Sequence, residues 1–564
     1  MLTFTQNFSV VGGSLGLTAL VALIPILYFF WALAIKRMKG HVAGITTFVL
    51  AFLLAVIFFK MPVSTAAMSG VQGAVYGLLP IGWIIITSVF LYKLTVKSGQ
   101  FDIIRNSIQS ITEDRRLQAL LIAFSFGAFL EGAAGFGAPV AISAALLVGL
   151  GFKPLYAAGI CLLANTAPVA FGAIGIPITA MEGPTGIPAM EISKMVGRQL
   201  PFLSVFIPLY LVIIMAGFKR AKEVLPAIAV SGILFAGTQF LTSNYLGPEL
   251  PDILSALVSL FGLIIFLKFW KPKSIWRFKD EVEIAATAEA VKNDNQKVHY
   301  SPGEVFKAWS PFLVLTAFIS LWGIPTLKSA LLGNYEGGNV LLQGINSIGN
   351  ALTFAPEVPF LHNQILNAAG EPIATFFKLE LLGAAGTAIL IAALITKWLS
   401  GLSWKQWGAT FIETLNEFKF PIITICSVVA YAYVANASGM TLSLGMIVAK
   451  TGALFPFFSP FLGWIGVFIT GSDTSANILF AGLQKVTALE VGMDPLLAVA
   501  ANSSGGVTGK MISPQSIAVA CAAVGLAGKE SDLLRFTLKH SIFLIIIIGI
   551  LTYLQSNVLS WMIP

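Results

Sequence analysis

Three ionisable residues stand alone in otherwise apolar surroundings. Glu131 is the only charged residue between Arg116 and Lys153, Asp473 the only one between Lys450 and Lys485, and Lys510 the only one between Asp494 and Lys529. At a lipid-exposed helix centre each would cost roughly 2.5–3.5 kcal/mol, so each is expected to face an interior. A carboxyl buried away from a cation favours its protonated form. Glu131 and Asp473 are therefore candidates for carrying a coupling proton, with Glu131 first because no basic residue lies near it in sequence. Lys510 could attract the carboxylate of an anionic substrate. Two other uses stay open: a structural salt bridge between Asp473 and Lys510, and a sodium site built from carboxylate, hydroxyl and carbonyl oxygens.

Hydroxyls and amides gather around the same positions: Asn165, Thr166, Ser472, Thr474, Ser475, Asn477, Asn502, Ser503, Ser504, Thr508 and Gln515. A small hydroxy acid needs a few such donors and acceptors, whereas a hydrophobic solute does not. Asn165, Thr166, Ser472, Thr474, Ser475, Asn502, Ser503, Ser504, Lys510 and Gln515 are the candidate substrate-binding residues. Some of these side chains are expected to do no more than cap half-helices. Beside them stand Gly132, Gly135, Gly137, Gly471, Gly505 and Gly506, the candidate helix breaks. Backbone cannot be left unsatisfied in lipid, so non-helical chain at membrane depth must line protein or a water cavity. The freed half-helix N-termini then suit a carboxylate. Close helix packing through small residues is the alternative use of such glycines.

The elements that position these residues follow from composition. The chain has 564 residues, 57% hydrophobic and 11% charged, with mean hydropathy +0.86. Soluble domains average about 25% charged residues, and runs such as 14–35 and 541–560 approach the roughly 20 residues that cross a bilayer. The expected fold is an all-α polytopic membrane protein. It has about twelve spans plus two re-entrant hairpins, 118–152 and 457–490, each followed by a broken helix, 155–180 and 495–525. Two membrane halves, 1–270 and 308–564, flank a hydrophilic, cytoplasmic linker at 271–307. A basic amphipathic stretch, "SGLSWKQWGATFIETLNEFK", is read as lying at the surface before a span at 419–437, and 441–455 as exterior or partly re-entrant.

"GAFLEGAAGFGAP" from Gly127 aligns with "GVFITGSDTSANI" from Gly466, and "ANTAPVAFGAIGIPI" from Ala164 with "ANSSGGVTGKMISPQ" from Ala501. The clusters of Lys and Arg fall on one side only if 118–152 and 457–490 each enter and leave by the same face, the first from inside and the second from outside. The copies are then inverted, with both termini outside. Inverted repeats with broken helices are the architecture of secondary transporters. The first apolar run lacks a basic flank and reads as a retained span. The net charge of +8 reads as topology, not nucleic-acid binding. Cys161, Cys426 and Cys521 and the four scattered histidines fit neither a disulfide framework nor a metal site. No cofactor and no enzymatic nucleophile–base set is expected, and a receptor would need a larger soluble domain than the linker offers.

"FSFGAFLEGAAGFGAPVAI", "CLLANTAPVAFGAIGIPI", "FITGSDTSANILFAGLQ" and "AANSSGGVTGKMISPQSIAVACAAVGL" closely resemble the bacterial lactate permease family, over essentially the whole chain. That family is grouped with the wider ion-transporter superfamily. The resemblance implies uptake of L-lactate, and also of D-lactate and glycolate, coupled to protons in the bacterial cytoplasmic membrane. A sodium-coupled carrier of another small organic anion is the alternative.

Overall fold

The computed structural model describes residues 3–36, 38–109, 111–133, 135, 138–278, 300–367, 370–526 and 529–564. Gly137 and most of the expected linker lie outside them. Among the described residues eleven helices are long and apolar enough to cross a membrane, or twelve when one pair bent by 64° counts as a span.

The first half opens with α1 (Leu15–Phe30), α2 (Gly40–Ile57) and α3 (Val63–Lys97). The outward faces of these spans are aliphatic, as Leu17, Leu20 and Leu27 on α1 show, all of them exposed. In a soluble protein so large an apolar surface would aggregate; against acyl chains it is matched. After the amphipathic α4 (Gln100–Gln109) come α5 (Arg115–Ala133) and α6 (Ala138–Gly149). Residues 116–133 of α5 are all buried, whereas most of α1 and α2 is not. That stretch is therefore wrapped by protein and not by lipid. Next are α7 (Pro154–Ala164) and α8 (Gly172–Thr185), the bent pair, then α9 (Ala189–Lys222), α10 (Leu225–Tyr245) and α11 (Pro251–Phe269).

The second half starts with α12 (Pro302–Gly323), whose Ser301 and Glu304 form a capping box. Short helices α13 (Pro325–Leu331) and α14 (Val340–Ala351) follow, with strand pairs in the same excursion. Then come α15 (Ala385–Ser400), α16 (Trp404–Ser438) and α17 (Met440–Val448). The last elements are α18 (Phe455–Thr470), α19 (Asp473–Val491), α20 (Pro495–Lys510), α21 (Pro514–Ala523) and α22 (Glu530–Ser556).

Two opposite end faces emerge from the contacts. Phe4–Thr5 pairs in parallel with Ile365–Leu366, and Arg198 Nη1 donates to the Met562 carbonyl at 2.9 Å. Phe4–Thr5 thus lies with the 324–384 excursion, and the C-terminal end is tied through Arg198 to Asn244 near the end of α10, whose Leu246 meets Gly323 beside the same excursion. At the other face, the fully buried Arg116 ties Asp114 (2.6 Å), Glu223 (2.8 Å) and the carbonyls of Arg220 and Ser274 into one knot at the approach to the linker. Hydrogen bonding to Arg116, and then to Arg220, holds the Glu223 carboxyl below its usual range.

The hairpin α5–α6 has its base at that linker face, where Phe152 meets Phe278 edge to face. The hairpin α18–α19 has its base at the termini face. There Val486 packs on Gly445 of α17, and Ser443 donates to the Phe8 carbonyl at 3.3 Å. The two hairpins therefore enter from opposite faces, as the inverted repeat requires.

Two expectations need correction. The stretch at 400–419 is not a separate surface helix: from Trp404 onward it runs on into 419–437 as the single 35-residue α16, started by a Ser403–Gln406 capping box. Its interior holds nothing that must stop a helix, since Pro421 is accommodated. The second correction concerns Gly505 and Gly506, expected as helix breaks, which lie inside the continuous α20; the helix breaks instead at 511–513. Those glycines serve close packing: a Cβ on Gly505 would overlap the Pro460 carbonyl, and one on Gly506 the Asp473 carboxylate.

Candidate functional site

The three lone charges meet where the hairpin tips reach the broken helices. Glu131, near the end of α5 and 3% exposed, receives Lys510 Nζ on Oε1 at 2.7 Å. Its other oxygen accepts from Asn165 Nδ2 at 2.9 Å. Asn165 is the C-cap of α7, so the break in the chain places its amide there. Lys510 closes α20, where the negative end of the helix dipole favours a cation. Of the uses left open for Lys510, the pair with Asp473 is not formed among the described residues; Lys510 instead joins the two halves, across 379 positions of sequence.

The break between α7 and α8 is shaped to bring backbone against Glu131. A Cβ on Gly172 would sit 2.8 Å from Glu131 Oε1, which leaves room for glycine alone. Ala173 and Ile174 then take φ of +45° and +58°, strained values for residues with a Cβ. Strain of this kind costs of order 1–3 kcal/mol and persists only where the surroundings enforce it.

Asp473 heads α19, after the left-handed Gly471 (φ +72°) and the N-cap Ser472. Its Oδ2 accepts from Ser503 Oγ at 2.7 Å and Asn477 Nδ2 at 3.0 Å. Asn477 also donates to the Pro177 carbonyl on α8 at 3.1 Å. Each hairpin tip therefore touches the broken helix of the opposite half. Ser503 and Lys510 are seven residues apart on α20, two turns or about 10 Å along one face.

The remaining candidates divide. Ser472 caps α19, its hydroxyl accepting from the Ser475 backbone N–H at 3.2 Å, and Thr474 is half-buried in the first turn. Gln515 is exposed and packs on Gly471. Asn502 is fully buried between Gln484 (3.0 Å) and Asn477 (2.9 Å), which makes it part of the packing. Ser504 points away, to Gln199 at 2.7 Å. Gly135 is a true break (φ +57°), while Gly132 is helical and faces α11.

That contact exposes a residue the sequence reading passed over. Asp252, in the first turn of α11 and 1% exposed, lies beside Gly132 and has no hydrogen-bond partner on either oxygen among the described residues. Asn165 Oδ1, Thr166 Oγ1 and Asp473 Oδ1 are likewise buried and unpartnered. Buried polar atoms are nearly always paired, so this set marks a place where protons, water or a solute complete the bonding. No group of three or more His, Cys, Asp or Glu at metal-binding distance occurs among the described residues.

A family model described as L-lactate permease matches residues 18–559. The chain belongs to the L-lactate permease family. It is 70% identical over 561 residues to the L-lactate permease of Bacillus subtilis (strain 168), with 100% of both chains covered. It is 53% identical over 574 residues to the glycolate permease GlcA of Escherichia coli (strain K12), again with 100% of both covered. Among solved structures it is similar to the YdaH transporter of Alcanivorax borkumensis, at 14% identity and TM-score 0.48 over 92% of this chain and 99% of that one.

As a member of the L-lactate permease family the chain is a membrane transporter and not an enzyme. In this permease a cavity of about 250 Å³ opens toward the termini face, lined by Gln72, Tyr76, Glu182, Lys378 and Tyr433. It adjoins the far end of α8, whose near end carries Gly172 against Glu131. Asp252, Glu131 and Asp473 themselves are enclosed by protein.

Proposed function

We propose that this permease takes up L-lactate, and also D-lactate and glycolate, by proton symport across the bacterial cytoplasmic membrane. The substrate reading rests on the names of its relatives, a lactate permease and a glycolate permease matched end to end. The coupling reading rests on one observation: the one cation that the described residues bring to the hairpin tips is occupied by a carboxylate of the protein itself, Lys510 on Glu131.

A substrate carboxylate and Glu131 compete for one ammonium. When Glu131 takes a proton, its charge is removed, the ion pair weakens and Lys510 is free for the anion. When the proton leaves, Glu131 reclaims Lys510 and expels the substrate. One proton and one monocarboxylate then move together, and the loaded site carries no more net charge than the empty one. Ser503 and the half-buried hydroxyls of Ser472 and Thr474 supply donors and acceptors for the 2-hydroxyl. The linker face, which gathers Lys93, Lys97, Arg220, Lys222, Arg277 and Lys307, is assigned to the cytoplasm.

The test is radiolabelled L-lactate uptake into proteoliposomes under an inward proton gradient. Glu131→Gln leaves Lys510 unopposed, so exchange of internal for external lactate persists while accumulation driven by the gradient is lost. Normal accumulation by the variant would remove Glu131 from the coupling step. Accumulation that follows a sodium gradient and ignores protons would replace the symport reading with sodium coupling.

A further inference from the structure

Among the three acidic groups of the site, two are held by donors and one is not. Glu131 has Lys510 and Asn165, and Asp473 has Ser503 and Asn477 on one oxygen. Among the described residues nothing donates to either oxygen of Asp252, which is 1% exposed. A carboxylate anion buried with no donor is costly, and in such a place the group holds its proton instead. The positive end of α11, where Asp252 sits in the first turn, softens but does not remove that cost.

Its position is equally informative. Asp252 lies against Gly132, the residue after Glu131, and a Cβ there would stand 2.8 Å from the Asp252 Cβ. The charged groups it senses are Glu131 on α5 and Lys510 on α20. On its other side the chain runs through Glu249 to the end of α10 at the termini face, where Glu249 senses Lys328 and Glu182. Burial pushes the Glu249 carboxyl up, so it too retains protons more readily than a free glutamate. Ser255, one turn along α11, adds a buried hydroxyl without a partner.

We infer that Asp252 is a proton-binding site on the route between the termini face and Glu131, relaying the coupling proton. This rests on the proton-symport reading above. In the relay the O–H bond of Asp252 breaks and one forms on Glu131. Asp252 is then reprotonated from water on the termini side. One proton passes per cycle, and the acid returns to its starting state.

The experiment compares wild type with Asp252→Asn, which keeps the shape of the neutral acid but carries no transferable proton. Proteoliposomes are assayed for lactate exchange at equal pH, which moves no net proton, and for lactate-linked internal acidification with a trapped pH dye. The expected result is acidification slowed at least tenfold more than exchange is. Acidification at the wild-type rate, or equal loss of both activities, overturns the relay. If wild type itself shows no lactate-linked proton movement, the symport reading fails first and the relay with it.

A second measurement uses wild-type protein alone, so it does not depend on the variant folding. Hydrophobic carbodiimides add to protonated carboxyls in apolar sites, and the adduct is located by mass spectrometry. An adduct at Asp252, with ion-paired Glu131 unmodified, supports the relay. An adduct at Glu131 and none at Asp252 overturns it.

Discussion

Lys510 and Glu131 define the residue scale, because each is the other's main partner and neither has an alternative of equal quality. Lys510 Nζ lies 2.7 Å from Glu131 Oε1, with side-chain exposures of 12% and 3%. Removing one member of a buried pair leaves an uncompensated charge and costs about 3–5 kcal/mol, whereas neutralising both is often tolerated. Lys510→Met is therefore expected to lower the melting temperature in detergent and to abolish lactate exchange. Glu131→Gln combined with Lys510→Met should recover most of the melting temperature while exchange stays absent. If the double variant melts no higher than Lys510→Met, the two side chains act independently and the pair is not the organising interaction.

At the scale of elements, the sequence was readable where an isolated charge meets glycine. Glu131, Asp473 and the turns after Asn165 and Gly471 are local signals of this kind, each a lone charge or polar residue near glycine in an apolar run. Asp252 was not readable. Its neighbours "LGPELPDI" look like an ordinary span edge, and only the approach of Gly132 places it in the core. The partner of Lys510 was hidden as well, since nothing local joins positions 379 apart.

Gly505 and Gly506 show why glycine alone misleads: the same residue opens a helix or lets two helices touch. The two roles predict opposite results for Gly505→Ala. At an open break alanine is nearly neutral, but here its Cβ meets the Pro460 carbonyl, and overpacking costs about 1–3 kcal/mol. The melting temperature is expected to fall. Gly408→Ala on α16, where a Cβ would meet nothing within 4 Å, should stabilise by about 0.4–1 kcal/mol and serves as the control.

For the whole molecule, what matters is that each half supplies a hairpin tip to the other half's broken helix. Movement of one half against the other must then break or remake Glu131–Lys510 and Asn477–Pro177, so proton, substrate and conformation act on the same bonds. That arrangement has a direction only if the two faces differ, which makes orientation the property to establish. The linker face carries the Arg116 knot and the Lys93 and Lys97 pairs with Glu413 and Glu417. The termini face carries fewer basic groups, among them Lys194, already paired with Glu191. Excess Lys and Arg mark the cytoplasmic side, so both chain ends are expected outside. With Cys161, Cys426 and Cys521 replaced by alanine, a new cysteine can be placed at Val558, 73% exposed, or at Ile275, 59% exposed. In intact cells a membrane-impermeant maleimide should label Val558→Cys, and Ile275→Cys only after permeabilisation. The reverse pattern would turn the molecule over in the membrane. The route through Asp252 would then lead protons to Glu131 from the cytoplasm, and uptake by symport would need a different entry.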